Sequence, residues 1–420
     1  MNYAEAVGFL TSFTKSGTPQ TDLSRFRRLC ERLGNPQERL RFLHIAGTNG
    51  KGSVCAYLDE SLRAAGLRTG CFTSPFILNL RERIRFDGEM IGETDFAACM
   101  ARVKEAADSP DFSQFELLTA AAFLFYDRVH TDAVVLETGI GGLYDCTALV
   151  TPTVSIITKI DLDHCDILGN TVSEIAVHKA GIIKTNVPAV SAPNQYADAL
   201  EVLKNRAREC GAPFTEADGS QLAIRENTLR GTQFSYRGKI FFTKMGGAHQ
   251  PENAAAAIEA LRLLKIPESA IEYGLKTAAL PARMQVYSEN PLTIVDGGHN
   301  ESGAAAAAAL LKTENLRPVM VLGMLTTKEW EKALPHLLGQ CAVAVFTGKF
   351  APNAVPAETL ARFAEARGVR AKTAETVGEA IRRARELLSE TESGGILIGG
   401  SLYLAGQALE WLEQEERLSQ

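Results

Sequence analysis

The sequence predicts an α/β protein with mainly parallel sheets, arranged as two units of unequal size. Three observations carry that expectation. Short β-rich runs alternate with helix-length segments over most of the chain. Those runs are almost continuously apolar, the pattern of strands buried on both faces beneath helices. The alternation restarts near residue 292, just after LPARMQVYSENP (280–291), where two prolines sit among polar residues.

In chain order, the expected strands of the first unit are RFLHIAG (41–47), TGCFTS (69–74), DAVVLETG (132–139), TVSIITKI (153–160) and PAVSAP (188–193). Helix-length segments such as SVCAYLDESLRAAG (53–66) and FELLTAAAFLFYDRV (115–129) lie between them. TLRGTQFSYRGKIFFTK (228–244) reads as a β-ribbon turning at Tyr236-Arg237-Gly238, and NAAAAIEALRLL (253–264) returns to helix. The second series runs through LTIVDGG (292–298), PVMVLGM (318–324), CAVAVFTG (341–348) and GILIGGSL (395–402). The alanines at 304–309 suit a tightly packed helix, and no internal repeat is evident. The division expected is 1–285 and 286–420.

A chain of 420 residues exceeds one ordinary core, in keeping with two domains. Its net charge of −6 provides no global basic field, which argues against nucleic acid or an anionic membrane surface as partner. Eight scattered cysteines without a CxxC pair fit reduced thiols in a cytoplasm. The opening MNYAEAVGFLTSFTKSG has no basic segment followed by an apolar one, and no apolar run reaches the roughly 18–20 residues that span a bilayer. A cytoplasmic location is expected.

The chemistry concentrates at expected strand ends. HIAGTNGKGS (44–53) puts a glycine turn and Lys51 between a strand and a helix, where backbone amides and a lysine can hold phosphates. The general pattern GxxxxGK[ST] is not met, because Gly47 and Gly50 are close and Gly52 separates Lys51 from Ser53. A plain glycine turn with a solvent lysine is the alternative. Glu137 ends the apolar run DAVVLE, and DLDH brings Asp161, Asp163 and His164 to the end of the next, positions suited to a divalent ion. A salt-bridged glutamate and a structural histidine are the plainer readings. Asn253 could cap the alanine-rich helix, and Lys179 reads as a surface lysine. Arg283, at the junction, could clamp phosphate or make a linker salt bridge. DGGHN, with Asp296 and His299, ends an apolar run of the second unit.

GTNGKGS closely resembles the ATP loop of the folylpolyglutamate synthase and dihydrofolate synthase family, one of the ATP-dependent Mur-type ligases. The resemblance continues through TSPFILNLRERIRFDGE (73–89), ETGIGGLYDCT (137–147), ITKIDLDHCDILG (157–169), HKAGIIK (178–184), HQPENAAAA (249–257), PARMQ (281–285), DGGHN (296–300) and GGSLYLAGQ (399–407), in that order. It implies a P-loop, Mur-ligase-type central domain with a mainly parallel sheet, and a smaller Rossmann-like C-terminal domain. It assigns Gly47, Thr48, Asn49, Gly50, Lys51, Gly52, Ser53, Asn253, Arg283 and Asp296 to ATP, and Ser74, Glu137 and His164 to magnesium (Mg2+). Lys179 corresponds to a lysine carbamylated in these ligases, and His299 falls near the phosphates or the incoming amino acid. Phe115, Tyr144, Asp145 and Cys146 fall at the folate or pteroate seat.

The implied reaction phosphorylates a folate-type carboxylate from ATP; L-glutamate's amine then attacks the acyl phosphate, and ADP and phosphate are released. No GxSxG and no cysteine set with a histidine suggests a nucleophilic enzyme instead. The family implies a monomer working on small molecules. Its GGRxDATN pattern stands here as GGLYDCTA, with Leu143, Cys146 and Ala148 as the departures; DGGHNE and PAR are milder ones. Another Mur-type amide ligase acting on a non-folate acid, a P-loop NTPase or kinase, and a nucleotide-binding scaffold are the competing readings.

Overall fold

The computed structural model describes residues 1–14, 22–391 and 394–419, and builds them around two large sheets. The first has eight strands: β1 (Phe42–Ala46), β2 (Thr69–Phe72), β3 (Ile84–Phe86), β4 (Glu89–Met90), β5 (Ala133–Glu137), β6 (Val154–Ile157), β7 (Ala189–Ser191) and β8 (Phe214–Glu216). Their spatial order is β4-β3-β2-β5-β1-β6-β7-β8. All neighbours from β2 to β8 pair in parallel, and the β3–β4 hairpin adds an antiparallel edge. Every residue of β1, β5 and β6 is buried, which is why these strands read as unbroken apolar runs.

A three-stranded antiparallel sheet follows, β9 (Leu222–Thr228), β10 (Gly231–Tyr236) and β11 (Lys239–Thr243). The ribbon expected over 228–244 is thus its second and third strands. Its turn carries Arg237 and Gly238 at φ 49° and 77°, the left-handed pair that a tight hairpin needs. The first strand, LAIRENT, escapes the sequence pattern because its middle residues are solvent-exposed.

The second large sheet contains β12 (Gln285–Glu289), β13 (Leu292–Val295), β14 (Val319–Leu322), β15 (Val343–Thr347), β16 (Ala371–Ala374) and β17 (Ile396–Gly399), in the order β12-β13-β17-β14-β15-β16. Only β12 runs antiparallel to its neighbour.

Helices cover the sheets as their composition demands. In the Gln114–Arg128 helix, Ser113 and Glu116 form a reciprocal capping box, and every residue from Glu116 to Tyr126 is buried. The Gln250–Leu263 helix buries Ala254 to Ala257, whose small side chains let it lie close to the first sheet's core. Among the described residues, no helix is long and apolar enough to cross a membrane.

In both sheets the chain changes winding direction beside a central strand. β1 is followed in sequence by β2, two places away, and β5 returns between them; β17 likewise returns between β13 and β14. Crevices at strand carboxyl ends open at such points.

Candidate active site

Loops from the carboxyl ends of both sheets line one cleft of about 1360 Å³. All the residues assigned from sequence to ATP, magnesium, the acid or catalysis line it except two, Gly47 and Lys179. Those two touch each other in its wall: Lys179 Nζ donates to Gly47 O at 2.8 Å.

After β1 the chain turns through Gly47 at φ 155° and Gly50 at φ 88°. A Cβ at Gly47 would stand 1.8 Å from Thr158 Oγ1, and one at Gly50 would stand 2.1 Å from Asn253 Oδ1, so both positions exclude a side chain. The amides of Thr48 and Asn49 donate to Lys159 O at 2.9 and 3.2 Å, pinning the loop to the segment after β6. Lys51 Nζ donates to Gly47 O at 3.0 Å and Thr48 O at 3.3 Å. Gly50 is the N-cap of the Lys51–Ala64 helix and leaves it without a side-chain cap. The first-turn amides therefore face the cleft, the arrangement that receives an anion.

Glu137, at the end of β5, is 3 % exposed. Burial raises its carboxyl pKa, while the charge of Lys51, the Ser74 amide, Arg283 and Arg83 pull it down. Ser74 N donates to Glu137 Oε2 at 2.9 Å. His164 lines the same cleft, at φ 51°, with Nε2 3.8 Å from Asp163 Oδ2. Among the described residues no three His, Cys, Asp or Glu side chains gather as a metal cluster. A buried carboxylate that accepts the Ser74 amide, with His164 lining the same cleft, suits a hard cation that keeps most of its waters, as magnesium does.

Lys179 lies near the end of the Val172–Ala180 helix and is 4 % exposed, so the surface reading fails. Burial, aided by the charge of Lys51, pushes its ammonium pKa down to about 7. Near neutral pH it holds a substantial fraction of free amine.

Asn253 is not a helix cap: His249 caps that helix, and Asn253 Nδ2 donates to Gln250 Oε1 at 3.2 Å. Arg283 projects from a turn whose neighbours Ala282 and Met284 have φ of 53° and 44°. Asp296 holds this strained turn, its Oδ1 accepting Met284 N at 3.0 Å and its Oδ2 accepting Gly298 N at 2.9 Å. His299 Nδ1 lies 3.1 Å from Gly297 O, a carbonyl that can only accept, so Nδ1 carries the proton and Nε2 is a free base. Burial and the charge of Lys328 push its pKa down to about 4.

The remaining four divide. Tyr144 is 40 % exposed and meets His178 edge-on, with centroids 6.2 Å apart. Phe115 packs against Phe72 at 5.6 Å. Asp145 and Cys146 are buried; the Cys146 thiol donates to Thr119 Oγ1 at 3.4 Å and belongs mainly to the core.

Two contacts join the sheets across the cleft. Asn300 Nδ2 donates to Asn49 Oδ1 at 3.2 Å, and Lys328 Nζ pairs with Asp163 Oδ1 at 3.0 Å. Lys328 was not singled out from sequence, where TTKEW gives no sign of a partner 165 residues away.

A phosphate-type loop on one sheet, facing an Asp–Gly–Gly–His loop on another, defines a two-domain ATP-dependent ligase of the Mur type. Residues 45–261 match the Mur ligase middle domain, and residues 282–402 match the Mur ligase glutamate ligase domain. The chain is 37 % identical over 356 residues to the dihydrofolate synthase/folylpolyglutamate synthase of Bacillus subtilis, covering 80 % of this chain and 82 % of that protein. It is 32 % identical to the folylpolyglutamate synthase of Lacticaseibacillus casei, over 98 % of this chain and 99 % of that one. The chain belongs to the Mur ligase family, in its folylpolyglutamate synthase and dihydrofolate synthase branch. Among solved structures it resembles Mycobacterium tuberculosis folylpolyglutamate synthase complexed with ADP and AMPPCP (TM-score 0.87, 30 % identity, 97 % of each chain). It also resembles E. coli FolC in complex with DHPP and ADP (TM-score 0.87, 27 % identity, 99 % of each chain).

Proposed function

We propose that this chain joins L-glutamate to a folate-type carboxylate, either extending a tetrahydrofolate or converting dihydropteroate to dihydrofolate, with ATP as the activating substrate. The observation that carries the reading is that one cleft gathers Lys51, Glu137 and Arg283 together with Asp296 and His299, from both sheets. The nucleotide and DHPP complexes of its structural relatives support both substrates. The same reading divides the chain into an ATP-binding unit, 1–285, and a glutamate-ligase unit, 286–420, working as a cytoplasmic monomer.

A carboxylate oxygen leaves poorly, so the acid must first accept a phosphoryl group; the amine of glutamate then expels phosphate from the acyl phosphate. In this reading the uncapped amides of the Lys51–Ala64 helix and Lys51 bind the phosphates. Ser74, Glu137 and His164 would hold magnesium, which supplies charge neutralisation at the phosphates when bound. Arg283, on the turn that Asp296 holds, would reach the phosphates as the two units close. His299, held neutral with a free Nε2, would accept a hydrogen bond from the incoming amino group and orient it. The lowered pKa of Lys179 makes its amine a good acceptor of carbon dioxide, and the resulting carbamate anion would stand where the ammonium now meets Gly47 O. Closure excludes water from the acyl phosphate.

Phosphate release from ATP, measured with glutamate and either dihydropteroate or tetrahydrofolate, tests this. Release that needs both acid and glutamate is the expected result. Release without glutamate would sink the ligase reading, and activity on a muramyl acid but neither pterin would move the chain to another Mur branch.

A further inference from the structure

Behind the wall of the cleft, a buried imidazole joins two of its loops. His44 lies in β1, three residues before Gly47, and has no exposed surface. Its Nε2 is 2.9 Å from Thr147 Oγ1. That hydroxyl is in turn 2.5 Å from Asp145 Oδ1, which also accepts Thr147 N at 2.9 Å. Asp145 Oδ2 accepts the amides of Gly139 at 2.9 Å and Ile140 at 3.2 Å.

The direction of the chain follows from what each group can do. A carboxylate only accepts, so the Thr147 hydroxyl gives its proton to Asp145 and takes one from His44. His44 therefore carries its proton on Nε2. Its Nδ1 is left buried and without a hydrogen-bond partner, a cost that an aliphatic residue of similar size would avoid. What the imidazole contributes is the bond to Thr147, not packing. Burial pushes its pKa down to about 3, which keeps it neutral and leaves it a single N–H to give.

Asp145 is then filled. Four donors meet two oxygens, about as many as their lone-pair sites accommodate. The turn those bonds hold follows Glu137 directly and supports Phe115, whose ring is 3.0 Å from where a Cβ on Gly139 would stand.

Resting on the reading of this side of the cleft as the seat of the pterin-bearing acid, we propose that His44 is a positioning residue. Through Thr147 it fixes Asp145, and Asp145 fixes the Gly139–Ile140 turn against Phe115. The seat of the acid is thereby held in register with the phosphate loop that β1 carries.

Steady-state kinetics of the full chain test the proposal with Thr147→Val, Thr147→Ser, His44→Leu and His44→Gln. Thr147→Val should raise KM for the acid roughly tenfold, the worth of one buried hydrogen bond, while KM for ATP moves less than about twofold. His44→Leu should show the same split. Thr147→Ser and His44→Gln, which keep a hydroxyl and an N–H at those places, should restore most of the loss. Combining His44→Leu with Thr147→Val should add nothing to the larger single effect, since both cut one chain of bonds. Equal changes in both KM values, or additive losses, would overturn the idea.

Amide hydrogen exchange at Gly139 and Ile140 reads the turn without any substrate. It should accelerate at least about tenfold in His44→Leu and return toward wild type in His44→Gln. Unchanged exchange in His44→Leu would sink the relay even if kinetics shift. Should the wild type use no pterin-bearing acid, the proposed function fails, and exchange alone then decides the relay. Should Thr147→Val not fold, the two His44 variants carry the decision.

Discussion

The two large sheets end in the same device, a strand, a glycine-rich turn and a helix, yet finish it in opposite ways. After β1, Gly50 caps the Lys51–Ala64 helix at φ 88° with no side chain. After β13, Asn300 caps the Glu301–Thr313 helix, its Oδ1 accepting Gly303 N at 2.8 Å. An open helix end offers amides and a partial positive charge to an anion; a capped end has already used part of that capacity. In the proposed reading, the backbone that binds phosphate thus follows β1. The loop after β13 contributes side chains: Asp296, His299 and the amide of Asn300 that reaches back to Asn49.

Closing the open end should have the largest effect. Gly50→Asp would drive a Cβ to 2.1 Å from Asn253 Oδ1 and set a carboxylate at the phosphate seat. Turnover should fall by about 10³-fold, with nucleotide binding lost in calorimetry. Unaltered nucleotide affinity would break the comparison. Lys179→Ala comes next, because Lys179 holds Gly47 O from behind. A drop of about 10²-fold in phosphate release is expected, and wild-type turnover would remove Lys179 from the site.

The same lysine makes stability depend on pH. Its folded pKa, about 7, lies below the ordinary 10.5, so between those values the unfolded chain binds the extra proton. Stability from this group should therefore rise with pH over that window, by up to about 1.4 kcal/mol per unit, in buffer free of carbon dioxide. Urea melts of wild type and Lys179→Met should diverge with that slope; parallel curves would count against a neutral amine. The smallest effect belongs to the capped end. Asn300→Ala should cost about 1 kcal/mol and lower Tm by a few degrees, while leaving nucleotide affinity nearly unaltered.

The sequence made the parallel strands easy to see because burial on both faces leaves them no polar positions: β1, β5 and β6 are buried throughout. Strands at edges were missed for the converse reason. β9 is mostly exposed, and β16, AKTA, has one buried residue in four, so neither shows an apolar run. In the site, the residues that stood out were those in dense motifs at strand ends. Lys328 and Thr147 did not, because their meaning lies in partners far along the chain, Asp163 and His44. Lys179 reads as a surface residue in a short helix, and only the fold reveals that the helix delivers it beneath Gly47.

The two contacts across the cleft, Asn49 with Asn300 and Lys328 with Asp163, differ in kind. Asn49 to Asn300 is a bond between neutral amides, to which added salt is nearly indifferent. Lys328 to Asp163 is an ion pair with each side chain about one-fifth exposed, so salt weakens it. Rising ionic strength should therefore weaken the Lys328–Asp163 contact before it touches the asparagine pair. The cleft is thus tied by one contact that salt leaves alone and one that salt releases.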